Sequence, residues 1–141
     1  MTIRRPNPNK LIVGPNDVVD FGGAVAGASI VVGAENTNVR AVTIQLKDGQ
    51  GKDLTTRAAV EIAVFADANG DAFVATGGST GIAIGTDGAL LPIVAKKLFK
   101  AVSEADGDID LTWTDTGTEA AYLGVILPSG KIVMSAALTN A

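Results

Sequence analysis

The strongest structural signal in the chain is the run Ala120-Ala-Tyr-Leu-Gly-Val-Ile-Leu127, Pro128-Ser-Gly130, Lys131-Ile-Val-Met-Ser-Ala-Ala-Leu138. Two apolar segments of strand length flank a three-residue connection that contains Pro and Gly, which is typical of a β-hairpin. The sequence therefore predicts two paired antiparallel strands over residues 120–127 and 131–138.

Two segments upstream show the same strand signal. In residues 42–47, the apolar side chains of Val42, Ile44 and Leu46 alternate with polar ones, as expected for a half-buried strand. Residues 58–66 are apolar on both faces apart from Glu61. Asp-, Asn- and Gly-rich runs at 48–51 and 67–71 supply turns between the strands.

Residues 91–105 fit two patterns. Val94, Leu98 and Val102 have helical spacing, and Pro92 suits the start of a helix. Alternatively, residues 98–103 form a strand that pairs through Asp106-Gly107 with residues 109–114. We favour the hairpin, because residues 109–114 alternate cleanly between apolar and polar side chains.

Many short strands joined by regular turns define the expected fold. Gly is abundant at 17 residues, and hydrophobic residues make up 47% of the chain, enough for one core. We predict a mostly β protein with a single antiparallel β-sandwich or barrel, immunoglobulin-like or jelly-roll-like, over residues 37–141. Residues 1–36 are predicted to form an extended N-terminal arm.

The first ten residues of the arm differ from the rest of the chain in charge. Residues 1–10 carry Arg4, Arg5 and Lys10 and no acid, whereas the remaining chain has 8 basic and 15 acidic residues, a net charge of −7. A basic arm on an acidic body favours electrostatic docking on a partner. Charge alone is equally compatible with a soluble terminus that docks on nothing.

Composition argues against most catalytic classes. The chain has no Cys and no His, which removes the commonest zinc ligands and the usual base of a Ser or Cys nucleophile. No Ser-x-x-Lys spacing is present. The Gly-rich run 77–81 lacks the Lys-Ser/Thr of a phosphate-binding P-loop. We therefore expect neither an enzyme nor a cofactor.

Asp-rich runs at 67–71 and 106–110 offer ligands of the type that Ca²⁺ prefers. Leu111 stands where an EF-hand needs glycine, so we favour turns and a solvated strand face over a metal site. An acidic body predicts no nucleic-acid partner. The apolar stretch 22–34 is too short to span a bilayer, so we expect no membrane partner and synthesis in the cytoplasm.

Strands that are apolar on both faces indicate a second buried surface. In an antiparallel sandwich one face of each sheet normally contacts water, yet residues 58–66 and 120–138 are apolar or Ala-rich on both faces. The extra apolar surface indicates contact with another subunit or coverage by the arm.

Residues 42–138 resemble the small virion proteins of tailed bacteriophages that have immunoglobulin-like or related β-sandwich folds. Three stretches carry the resemblance, namely residues 42–51, 105–115 and 122–133. Among these proteins, head decoration (cement) proteins are the most similar. The similarity is one of general pattern, with no invariant functional motif.

The resemblance implies a structural protein on the outer surface of a phage capsid. It implies a homo-oligomer, with a trimer favoured, that binds the major capsid protein and stabilises the shell without catalytic residues. The alternative is a tail or fibre module or a host-surface adhesion domain. Contacts with the capsid or with other subunits are predicted for seven arm residues: Arg4, Arg5, Lys10, Leu11, Ile12, Val13 and Phe21.

Overall fold

A computed structural model of the chain describes residues 4–7, 10–12, 18–20 and 24–141, the first three ranges as backbone strands only. Within these residues every regular element is a β-strand. None of the described residues forms a helix long and apolar enough to cross a bilayer.

The strands form three antiparallel sheets. A four-stranded sheet has the order β4-β5-β10-β7, and a five-stranded sheet has the order β12-β11-β6-β9-β8. The third sheet is small and has the order β1-β2-β3. The strand bounds are β1 Arg4–Asn7, β2 Lys10–Ile12, β3 Val18–Asp20, β4 Gly27–Val32, β5 Val39–Lys47, β6 Ala59–Phe65, β7 Gly81–Ile84, β8 Ala89–Val94, β9 Leu98–Val102, β10 Asp108–Thr114, β11 Tyr122–Ile126 and β12 Ile132–Ala137.

The two larger sheets pack face to face as a β-sandwich, which confirms the predicted fold class. Alternation places one side of each strand in the interior. Trp113 of β10 is the largest side chain of the core, with none of its surface exposed. The rest of the core is mainly aliphatic and comes from both sheets, with Val42, Ile44, Leu46, Val60, Ile62, Val64, Leu111, Leu123 and Val125 among its members.

The predicted C-terminal hairpin is confirmed. Strand β11 pairs with β12 antiparallel, and Ile126 lies opposite Ile132 next to the turn. Gly130 adopts a φ of 91° in that turn, a left-handed conformation that favours glycine. Its amide donates to the Leu127 carbonyl at 2.8 Å and closes the turn.

The hairpin expected between residues 98–103 and 109–114 is wrong, although both segments are strands. Strand β9 pairs with β6 and β8, whereas β10 pairs with β5 and β7 in the other sheet. Phe99 and Ala101 point into the core from one side and Ile109 and Leu111 from the other. Each strand has one apolar row, and the two rows contact each other across the core instead of lying side by side.

Strand β4 belongs to the sandwich although the sequence assigns it to the arm. Residues 27–32 pair in continuous register with β5 from Lys47 to Val42, and Ile30 packs against the core. Strands β1–β3, in contrast, hydrogen-bond to one another in their own sheet. The segment outside the two main sheets therefore ends before Gly27.

Strand β8 forms one edge of the five-stranded sheet and is apolar over its whole length. Its sequence is Ala-Leu-Leu-Pro-Ile-Val, and Leu91, Ile93 and Val94 are exposed. Pro92 interrupts it, and the pairing with β9 changes register between Pro92 and Val94. Proline and a bulge are two features that restrict pairing at an exposed sheet edge.

Candidate functional site

The two outer faces of the sandwich differ in chemistry. The outer face of the four-stranded sheet is mostly polar, with the exposed Val31 of β4 as an apolar exception. Most residues that alternate with the core on this face are hydrophilic: Thr43, Gln45, Asp108, Asp110, Thr112 and Thr114. The outer face of the five-stranded sheet is mostly apolar. It carries Leu91, Val94, Leu98, Ile126, Ile132 and Met134, with Glu61 and Lys100 as the charged residues among them. We call this second surface the apolar face.

One row of side chains crosses the apolar face. Register places Ile132 opposite Ile126, Ile126 opposite Glu61, Glu61 opposite Lys100, and Lys100 opposite Leu91. The row therefore has an apolar residue on the outermost strands and one opposite-charge pair at its middle. Leu91 at one end of the row is 65% exposed, and Ile132 at the other end is 40% exposed.

A groove lies beside this row on the β6 and β11 side. It has a volume of about 360 Å³ and is lined by Ala59, Glu61, Lys100, Ile126, Pro128 and Gly130, among others. Small residues on the strands and the open turn at 128–130 create the depression. The apolar face thus has a ridge at β8 and a groove at β11, a relief that suits docking of another surface.

The far end of the apolar face is covered by the chain itself. The rings of Phe65 and Phe73 stack with centroids 5.6 Å apart and an angle of 7° between their planes. A Cβ placed on Gly124 would lie 2.5 Å from the Phe65 ring, so that ring rests directly on the glycine. Tyr122 of β11 is half-buried at this end.

Three carboxylates meet at the edge of the polar face. Asp87 in the β7–β8 loop joins Asp108 and Asp110 of β10, with carboxylate oxygens within 4.8 Å of one another. The Asp87 carbonyl accepts a hydrogen bond from the Asp110 amide at 2.9 Å, which holds the loop against the strand. These oxygens could hold a hard cation such as Ca²⁺. Sequence reasoning found the 106–110 run but could not place Asp87 beside it.

Asp108 is the member of this cluster whose charged form is disfavoured. Burial raises the pKa of its carboxyl, and the negative charges of Asp110, Asp106 and Asp87 raise it further. Its Oδ1 is buried without a hydrogen-bond partner. Crowded carboxylates favour protonation of one member, so the cluster destabilises the fold when all three are charged.

The Gly-rich loop at 76–81 is occupied by the chain's own acids. Glu119 accepts hydrogen bonds from the amides of Thr76, Gly77 and Gly78 at 2.8–3.0 Å and from the Thr76 hydroxyl at 2.5 Å. Asp115 accepts from the Ser79 amide at 3.0 Å. Successive amides that converge in this way form an anion-binding nest. Because two side-chain carboxylates fill it, the loop has a structural role here.

Residues 77–81 also spell Gly-x-Ser-x-Gly, so the expectation that the chain contains no nucleophile-elbow pattern is wrong. The structural context differs from that of an elbow, because the loop leads into strand β7 and not into a helix. The Ser79 hydroxyl accepts from the Thr116 amide at 3.0 Å. Lys96 donates to the carbonyls of Gly78 and Ser79 rather than to that hydroxyl. This arrangement holds the loop in place and does not activate the serine.

The predicted arm contacts lie outside what the structure describes in side-chain detail. Val13 and Phe21 are outside the described residues, and so are the side chains of Arg4, Arg5, Lys10, Leu11 and Ile12, of which only the backbone in β1 and β2 is described. These contacts remain predictions.

Comparisons with known proteins add no relative. No family model, no curated protein and no solved structure matches the chain.

Proposed function

We propose that this chain is a non-enzymatic structural module that decorates the outer surface of a tailed-phage head. In this role it binds the major capsid protein, self-associates and stabilises the shell. The observation that carries the proposal is the apolar face of the five-stranded sheet, which opposes a polar face on the other side of the same sandwich. Two faces of opposite character suit a protein with one side on other subunits and the other in water.

The N-terminal sheet supports the same role. Strands β1–β3 contain four, three and three residues, and a sheet this small needs packing against another surface to be stable. The basic residues of this segment, Arg4, Arg5 and Lys10, suit an acidic patch on a shell subunit. A short sheet joined to a rigid sandwich would then attach the module to the particle.

The test is the copy number of the protein in purified particles, measured by quantitative mass spectrometry. A decoration protein is expected in numbers comparable to the major shell subunit. A few copies per particle would instead favour the tail, fibre or adhesion role. Absence from the particles would refute a virion role altogether.

Attachment is tested separately with purified components. A variant that lacks residues 1–22 keeps β4 and both main sheets, so we expect it to fold. We predict that it fails to bind particles from which the native protein has been removed, while the full chain binds. Equal binding by the two proteins would show that the arm is not the anchor.

A further inference from the structure

We infer that the apolar face is a two-fold interface with a second copy of this chain, in which Glu61 of each copy faces Lys100 of the other. The inference does not depend on the phage role, because it concerns the purified protein alone. It follows from the order of side chains in the row that crosses the apolar face. The charges in that row are complementary to those of a second, reversed copy, which is why we infer that a second copy covers the face.

Symmetry determines which residues meet. The row runs Ile132, Ile126, Glu61, Lys100, Leu91 across the strand order β12-β11-β6-β9-β8. A two-fold axis that runs along the strands between β6 and β9 reverses this row in the partner. Each Glu61 then lies over Lys100 of the other copy, and each Ile126 lies over Leu91. Such contacts are reciprocal, as a two-fold interface requires.

The other two-fold axis in the plane of the face is disfavoured. An axis along the row would leave each residue over its own equivalent, so that Glu61 meets Glu61 and Lys100 meets Lys100. Like charges in a desolvated contact are costly.

Exposure supports the same axis. Leu91 is 65% exposed and lies in the same row as the half-buried Ile126. Reversal of the row places Leu91 of each copy against Ile126 of the other, so that two apolar contacts flank the two charge pairs.

The area sets the expected strength. Five strands about 4.8 Å apart, with five to six residues each at about 3.4 Å per residue, give a face of roughly 450 Å². Part of this face is covered by Phe65 and Phe73. A footprint of this size, about 900 Å² at most for the two copies together, belongs to the weak and transient class of interfaces, so we expect a dimer that dissociates readily on dilution.

The test is a charge-swap experiment on the full chain, followed by sedimentation equilibrium from 1 to 500 µM. The Glu61→Lys variant would present two lysines to two lysines, and the Lys100→Glu variant two glutamates to two glutamates. We expect each variant alone to dimerise at least tenfold more weakly than the unaltered chain. Mixed in equal amounts, they should form a heterodimer of twice the 14.2 kDa chain mass.

Mixing the two variants distinguishes an effect on the interface from an effect on the stability of the fold. Within one chain, Glu61 and Lys100 are cross-strand neighbours, so either variant also loses an internal attraction, but mixing cannot restore that. The control is Thr43→Lys, an exposed position on the polar face, which should leave dimerisation unchanged. Circular dichroism confirms that each variant is folded.

Three results would overturn the inference. The first is an unaltered chain that stays monomeric to 500 µM, and the second is a trimer in which the mixture restores nothing. The third is a dimer weakened by the Thr43→Lys control. A chain that stays monomeric would also refute the self-association in the proposed function. None of these results bears on copy number in particles or on attachment through the arm, which are measured separately.

Discussion

Glu119 offers the sharpest test of the energetics of the fold, because one carboxylate satisfies several backbone amides. The Glu119→Ala variant removes the acceptor for the amides of Thr76, Gly77 and Gly78. Gly77 and Gly78 are buried, and a buried donor without a partner costs about 1–3 kcal/mol. With two such donors and partial relaxation, we expect a loss of about 2–4 kcal/mol in the free energy of unfolding.

This loss of unfolding free energy corresponds to a lower melting temperature. Unfolding entropy near 2.1 cal/mol/K per residue gives about 0.3 kcal/mol/K for 141 residues. Glu119→Ala should therefore melt about 7–13 °C below the unaltered chain in differential scanning calorimetry. Asp71→Ala, at an exposed position in another turn, is the matched control and should melt within about 2 °C of it.

Rescue by small anions tests the mechanism directly. Formate or acetate at 50 mM should enter the vacated nest and raise the melting temperature of Glu119→Ala more than that of the unaltered chain. A melting temperature equal to that of the control variant would show that these amides need no carboxylate. A large loss without rescue would place the cause elsewhere, for example in packing of the loop on Trp113, which lies under Gly78.

The Glu119 contribution should also depend on pH. Burial would raise the pKa of Glu119, but hydrogen bonds from the Thr76 hydroxyl and the amides of Gly78, Gly77 and Thr76 outweigh it and lower the pKa below 4.5. The unfolded chain therefore binds more protons, and stability is lost as the pH falls through the folded-state pKa. The difference between Glu119→Ala and the unaltered chain should shrink from pH 6 to pH 3.

Three further changes follow from described contacts. Asp108→Asn should raise the free energy of unfolding by on the order of 1 kcal/mol at pH 7, because it removes a charge that burial and the nearby carboxylates disfavour. The folded-state pKa of the Asp108 carboxyl lies above 3.8, so this group is neutral near pH 3, and the gain should vanish there in urea titrations. Asn140→Ala should cost about 2–3 kcal/mol in thermal melts, since this buried side chain accepts from Arg40 and donates to two backbone carbonyls. Gly124→Ala should cost about 1–3 kcal/mol in the same assay, because a Cβ would lie 2.5 Å from Phe65. An unchanged melting temperature of the Gly124 variant or of the Asn140 variant would contradict the contact on which that prediction rests.

Strand positions were predictable where side chains alternate. Val42, Ile44 and Leu46 are fully buried as their spacing implies, because a period of two leaves no other regular structure. Pairing was less predictable than position. Leu98–Val102 and Asp108–Thr114 have the pattern of a hairpin but belong to different sheets, since alternation fixes which side of a strand is buried and not which strand lies beside it.

Features that depend on distant residues were beyond sequence reasoning. Asp87 joins Asp108 and Asp110 only because the β7–β8 loop passes the edge of β10. Glu119 reaches a glycine loop about 40 positions earlier in the chain. The excess of apolar residues in 58–66 and 120–138 did indicate a second apolar surface, but the row centred on Glu61 and Lys100 requires the strand order of the folded sheet.

The interruption of β8 by Pro92 affects how copies of the protein associate at high concentration. An unbroken apolar edge strand would allow copies to add side by side without limit, as in cross-β fibrils. Pro92 removes one backbone donor from that edge, and the bulge beside it disturbs the alignment of the next residues. Growth along the edge is thereby hindered, while the proposed two-fold contact through the apolar face would join only two copies. A protein crowded onto a repetitive surface could in this way reach high local concentration and still form closed assemblies of defined size.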